Sequence, residues 1–256
     1  MTMRTMNQEL HYHTPYPAIA LAGFVLAVGA AIAASLSGLG SRWGWWHFGT
    51  GFKIMIAAMV IGLLAVIADA ISSFFIRGTG ARHILGLAVV GIVIGLSASA
   101  VPAAWVRTAY RMPPIHDITT DRTDPPAFVA ILPLRKDAVN PAQYGGKEIA
   151  DQQAAAYPGV RPLILPFRPH QAFANALAEA GRMGWTIVDA DEAAGRIEAT
   201  ATTFWFGFKD DIVVRVRPDG FGSRVDVRSV SRVGKSDLGT NARRIMTYLR
   251  ALGMES

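Results

Sequence analysis

The sequence predicts an α+β protein in two parts: three transmembrane helices, then a soluble two-layer domain of antiparallel sheet covered by two helices. Three observations carry this. Three long apolar runs before Arg107 contain one charged residue, Asp69, whereas from Arg107 onward the chain holds twenty Lys or Arg and seventeen Asp or Glu. Between Arg196 and Arg228 three segments alternate apolar and polar side chains, the period of a half-buried strand. Two stretches around them repeat apolar residues at three and four, which supplies helices for one sheet face. The implied divisions are a polar tail 1–17, a three-helix membrane anchor 18–106, a proline-rich extended segment 107–160 and an α+β domain 161–256.

Over the whole chain 17% of residues are charged, against roughly 25% in a typical soluble domain, and the deficit belongs to the first 106 residues. The formal net charge is +6. Between Ile212 and Arg250 nine cations (Arg215, Arg217, Arg224, Arg228, Arg232, Lys235, Arg243, Arg244, Arg250) face only Asp219, Asp226 and Asp237, a surplus equal to that charge. A basic surface beside a membrane points to anionic headgroups or an acidic partner protein rather than nucleic acid. With no cysteine, disulfides, thiol catalysis and Cys-ligated zinc are excluded.

Within the polar tail, Arg4, Glu9, His11 and His13 read as solvated, because the two histidines lack helical ligand spacing. Ala18 to Leu39 is uncharged and long enough to cross ~30 Å of hydrocarbon. It outruns the apolar core of a signal peptide, despite the cleavage-like Ala31-Ile32-Ala33. Ser41 to Lys53 is expected as a loop, its Trp43, Trp45 and Trp46 anchoring at headgroup level. Ile54–Ile76 and Ile84–Val106 are the second and third spans, flanked by Lys53, Arg77, His83 and Arg107. Pro102 is expected to bend or end the third. Asp69, Gly91 and Gly95 are assigned to helix packing: Gly91-x-x-x-Gly95 permits close approach, and Asp69 is expected to snorkel or to hydrogen-bond to a neighbouring helix. No second ionisable group inside a span completes a proton relay. Arg4, Arg77 and Arg82 on one side nearly balance Arg42, Lys53, Arg107 and Arg111 on the other, so charge fixes no orientation.

Ten prolines between Arg107 and Pro169 predict an extended, irregular run across the domain surface. Its Phe128, Val129, Ile131, Leu132 and Leu134 are expected to let part of it dock, with Pro162–Pro166 as a short edge strand. Pro169–Met183 is a helix, since Phe173, Ala176, Leu177 and Ala180 share a face and Gly184 stops it. Strands follow at Trp185–Val188, around Ile197–Thr203, around Ile212–Arg217 and around Arg224–Arg228, with turns at Lys209-Asp210-Asp211 and Pro218-Asp219-Gly220. Leu238, Ala242, Ile245, Leu249 and Leu252 give the last amphipathic helix.

The segments I-H-D-I-T-T-D (Ile115–Asp121), D-P-P-A-F (Asp124–Phe128), M-G-W (Met183–Trp185), E-A-T-A-T-T-F-W-F-G-F-K-D-D and R-S-V-S-R-V-G-K-S-D-L-G-T-N-A-R-R-I resemble the domain-of-unknown-function family 1499, over about Ile115 to Leu252. That family occurs in bacterial envelopes and plastids. The resemblance implies a shared fold and an extracytoplasmic domain, hence a bacterial inner-membrane protein with its C-terminal domain in the periplasm. It implies no reaction, and the three spans lie outside it.

The first candidate site is an anion site of Arg228, Ser231, Arg232, Lys235, Ser236 and Asn241, where a strand end meets a glycine-containing loop and a helix N-terminus. The competing reading has Asp237 cap that helix and the arginines pair with Asp226, Asp210 or Asp211. Gly234-Lys235-Ser236 is not a phosphate-binding P-loop, because the required earlier glycine is Ser229. The second is an aromatic groove at Phe204, Trp205 and Phe206, with core packing as its rival. No metal site or cofactor is expected: no histidine pair has ligand spacing, and no G-x-S-x-G occurs. The function expected is therefore a membrane-anchored envelope protein binding an anionic ligand, lipid headgroup or partner protein. The alternative is a hydrolase or transferase using the basic loop on a phosphorylated or acyl substrate, with no catalytic residue assigned; spacing alone leaves open Ser231 or Ser236 with a lysine base.

Overall fold

The computed structural model describes residues 15–76 and 81–254. Arg4, Glu9, His11, His13 and Arg77 lie outside the described residues. The chain divides at Trp105/Val106 into two compact units.

Three helices are long and apolar enough to cross a membrane: α1 (Tyr16–Arg42) and α2 (Phe48–Phe75) in the first unit, and α3 (Ala81–Arg111), of which residues up to Trp105 belong to it. On α1 a buried series runs through Ala20, Gly23, Ala27, Ala30, Ala34 and Ser37, with Gly38 and Gly40 also buried beyond it; on α2 the series is Gly51, Met55, Ala58, Gly62, Ala65, Asp69 and Ser72. Both sets step by three and four, so small side chains form a seam along which backbones approach closely. The connection between α1 and α2 is shorter than the expected Ser41–Lys53 loop: α2 starts at Phe48 because His47 Nδ1 accepts the Gly49 N–H at its N-terminus. Pro102 does not end α3, which continues to Arg111. A proline removes its own N–H without preventing the next turn from forming.

The second unit contains β1 (Asp117–Thr119), a 3₁₀ turn (Leu132–Arg135), α4 (Gly146–Ala156), β2 (Leu163–Leu165), α5 (Pro169–Arg182), β3 (Thr186–Asp191), β4 (Arg196–Thr202), β5 (Lys209–Asp219), β6 (Gly222–Ser231) and α6 (Thr240–Met254). All strand pairs are antiparallel, in the order β1-β6-β5-β4-β3, and β2 shares the outer edge of β6 with β1. Ile197 and Ala199 of β4, Ile212 and Val214 of β5, and Val225 and Val227 of β6 point to one face. There they meet Phe173 and Ala176 of α5 and Ile245, Tyr248 and Leu252 of α6, the main core of the unit. Tyr248 stacks on Trp185 and its hydroxyl donates to the Ala176 carbonyl at 2.8 Å, so its one polar atom is satisfied in the core.

Four local expectations differ. Lys209-Asp210-Asp211 opens β5 instead of turning the chain; the turn is Phe204–Phe206, where Gly207 (φ 69°) takes a left-handed conformation. β5 runs through Pro218, and the hairpin turns at Gly220 and Phe221. Leu238 has φ 53° and precedes α6 rather than starting it. The proline-rich run contains α4, which Gly146 to Ala156 can form because no proline falls between Pro141 and Pro158.

Candidate functional site

The opposite face of the sheet is lined with charge, and the Phe128–Asn140 segment lies over part of it. Register places Glu198, Val213 and Arg228 in one cross-strand row and Thr200, Asp211 and Val230 in the next. Phe128 and Ile131 pack on Val213 and Val230, which buries the charged neighbours as well. Each buried charge there has partners. Arg228 grips Asp117 through Nε (2.9 Å) and Nη2 (2.7 Å), donates to the Ala142 carbonyl, and lies over the rings of Phe128 and Tyr144. Asp211 receives Arg135 at 2.5 Å, Arg232 at 2.8 and 2.9 Å, and the Thr200 hydroxyl at 2.8 Å. Glu198 accepts the backbone N–H groups of Val129, Ala130 and Ile131 and pairs with Arg196 at 2.9 Å. Asp226 gathers Arg215, Arg217 and Arg224 at 3.0–3.3 Å.

Asp121 completes that last cluster, with Arg224 at 2.8 Å. Burial raises its carboxyl, but the N–H groups of Asp124 and Thr123, together with Arg224 and Arg215, outweigh burial and hold it below its ordinary value. Arg224 is raised in turn, first by its hydrogen bond to Asp226.

The six residues of the expected anion site do not converge. Arg228 and Arg232 point to the charged face and are spent on Asp117 and Asp211. Ser231 points to the helix face, where its Oγ accepts Asn241 Nδ2. Asn241, fully buried, also donates to the His116 carbonyl and accepts from Ser229. Ser236 donates to the Pro113 carbonyl and accepts the Leu238 N–H. Only Lys235 is exposed. At the N-terminus of α6 the Asp237 carboxylate already takes the N–H groups of Gly239 (2.9 Å) and Asn241 (2.7 Å), although burial raises this carboxyl. Neither Ser231 nor Ser236 has a basic side chain as hydrogen-bond partner.

Of the aromatic trio, Phe206 is buried, Trp205 half-buried and Phe204 exposed, all in the turn between β4 and β5. In the membrane unit a Cβ on Gly95 would stand 2.7 Å from the Gly62 carbonyl, and the Ser99 hydroxyl donates to the Met59 carbonyl at 3.0 Å. Asp69 neither snorkels nor finds a donor, since both oxygens are buried without a hydrogen bond. Ser72 and Ser73 donate instead to the carbonyls of Ala68 and of Asp69 itself.

Six of the nine cations between Ile212 and Arg250 are thus neutralised internally: Arg215, Arg217, Arg224, Arg228, Arg232 and Arg244, the last on Asp210 at 2.6 Å. Lys235, Arg243 and Arg250 are exposed and have no ion-pair partner among the described residues. Arg243 and Arg250 stand two turns apart on the outer side of α6, opposite the Ile245–Leu252 stripe. Arg250 and Arg161 line an open cleft of about 320 Å³ with Leu163, Met246 and Leu249. Arg161 donates to the Pro158 carbonyl. Arg161 lay outside the basic run and was not expected; the signal for Arg243 and Arg250 was the helical period, which turns them away from the core.

No curated protein matches this chain. The family described as "Protein of unknown function (DUF1499)" matches residues 117–252, more than half of the sequence and nearly all of the second unit.

Proposed function

The chain belongs to the DUF1499 family, and on that premise we propose that it is a membrane-anchored envelope protein whose C-terminal domain binds an anionic headgroup on the outer side of α6. The observation carrying this reading is the set of cations left over once the fold has been neutralised: Arg243, Arg250 and Lys235, with Arg161 across the cleft. Guanidinium groups suit phosphate and carboxylate oxygens, and Leu163, Met246 and Leu249 offer apolar surface beside them. The cleft falls at the small end of the ~300–1,000 Å³ range for ligand sites. The reading includes insertion in a bacterial inner membrane with this domain in the periplasm, which three spans and near-balanced flanking charge permit.

The test uses the full-length protein in zwitterionic detergent. Short-chain phosphatidylglycerol, phosphatidylcholine and inorganic phosphate are titrated in turn against wild type and Arg161→Gln/Arg250→Gln. Saturable binding of the glycerol lipid, weakened about tenfold or more by the double change, is expected. Phosphate bound equally well would assign a free anion, and binding unaffected by the substitutions would refute the site.

A further inference from the structure

Asp69 lies in the buried seam of α2, at the position where Ala65 and Ser72 flank it one turn to either side. Its side chain is 0% exposed, so it meets protein on all sides and faces neither lipid nor water. Two glycines make room for it. A Cβ on Gly23 of α1 would clash with one carboxyl oxygen, and a Cβ on Gly91 of α3 would clash with the other. The carboxyl therefore lies against the backbones of two neighbouring helices at glycine positions, and neither oxygen has a hydrogen-bond partner. Such a notch is built, because any side chain larger than glycine at either place would expel the group.

Nothing facing the notch among the described residues can neutralise a charge. Among the described residues, α1 offers no ionisable side chain between Tyr16 and Arg42. On α2 the nearest is Lys53, sixteen residues away or about 24 Å along the axis. On α3 the nearest to Gly91 are His83 and Arg82, about 12 Å or more along the axis, and both precede the notch by two turns. The serines of the next turn are committed to helix carbonyls. A bare carboxylate enclosed without donor or counter-ion is the costliest state this seam could hold. A bound cation removes that cost, and the space left by two glycines is filled by the carboxyl itself, leaving room for the smallest cation.

We propose that Asp69 is a proton-binding site of the membrane unit: the packed three-helix seam holds it as the carboxylic acid, and the proton leaves only when the seam opens. Proton release and helix separation are then one linked event, so whatever spreads α1 and α3 from Asp69 moves a proton, and proton loss favours spreading. The proposal is independent of the anion site on α6.

Infrared spectroscopy of the full-length protein in detergent tests it. At neutral pH the carbonyl stretch of an acid with weak hydrogen bonding is expected, shifted in heavy water and absent from Asp69→Asn. Isotope labelling of aspartate carboxyl carbons in the wild type assigns the same band even if that variant fails to fold. As pH is raised, the band and the helix packing, followed by cross-linking across the seam, should decline together, while packing in Asp69→Asn stays indifferent to pH. Gly23→Ala, which places a methyl group on the carboxyl oxygen, should move the band. Carboxylate bands in place of the acid band at neutral pH would overturn the proposal. So would packing in Asp69→Asn that responds to pH as the wild type does.

Discussion

On the sheet face away from α5 and α6, Arg228, Arg232, Arg215, Arg217 and Arg224 close on Asp117, Asp211 and Asp226, whose side chains are almost wholly enclosed. On the outer side of α6, Arg243 and Arg250 are exposed and meet no carboxylate among the described residues. Both groups come from one basic stretch of sequence. What separates them is cover. The Phe128–Asn140 segment lies over Arg228 and Asp211, and Asp121 and Asp124 over Arg215, Arg217 and Arg224, so the charges enclosed there needed counter-charges. Among the described residues the second group stays exposed. Density of arginine thus says little about where an anion binds. The useful quantity is charge left over after the fold has neutralised itself.

The contrast predicts large stability effects on one side and none on the other. Arg228→Met leaves Asp117 buried and unpaired, and should destabilise the protein by about 3–5 kcal/mol in denaturant melts. Adding Asp117→Leu should recover much of that loss, since an apolar pair needs no counter-charge. Glu198→Gln removes acceptor capacity for the Val129, Ala130 and Ile131 N–H groups and should cost about 2 kcal/mol, with faster hydrogen exchange along that segment.

Acid supplies a gentler perturbation. Because Asp121 is held below its ordinary value of 3.8, its contribution is complete above that pH and is lost as pH falls through the lowered value. Asp121→Asn should therefore be less stable than wild type at neutral pH and should approach it in strong acid. Thermal melts across that range would check the sign.

The two-part architecture was legible because its signals are periodic. Uncharged runs of span length marked α1 to α3, alternation marked β4 to β6, and spacing of three and four marked α5 and α6. The site was less legible. Alternation does distinguish Arg228 from Ser231, which have opposite parity on β6, yet it does not tell which polar face will be roofed. That roof comes from Phe128 and Ile131, a hundred residues earlier in a proline-rich run whose apolar residues announced docking but not the face on which it would occur. Asp69 was conspicuous as the lone acid in the spans. Its relation to Gly23 on another helix was not, because local spacing does not report which helices meet.

The most direct test compares two charge removals in the full-length protein, Arg243→Gln/Arg250→Gln on α6 and Arg217→Gln on the charged face, each measured for stability and for binding of short-chain phosphatidylglycerol. The α6 pair should weaken binding severalfold and reduce its salt dependence while shifting stability by less than about 0.5 kcal/mol. Arg217→Gln should leave binding intact and lower the melting temperature. The opposite pattern, with binding lost through Arg217 and kept without Arg243 and Arg250, would contradict the division between neutralised and unneutralised charge.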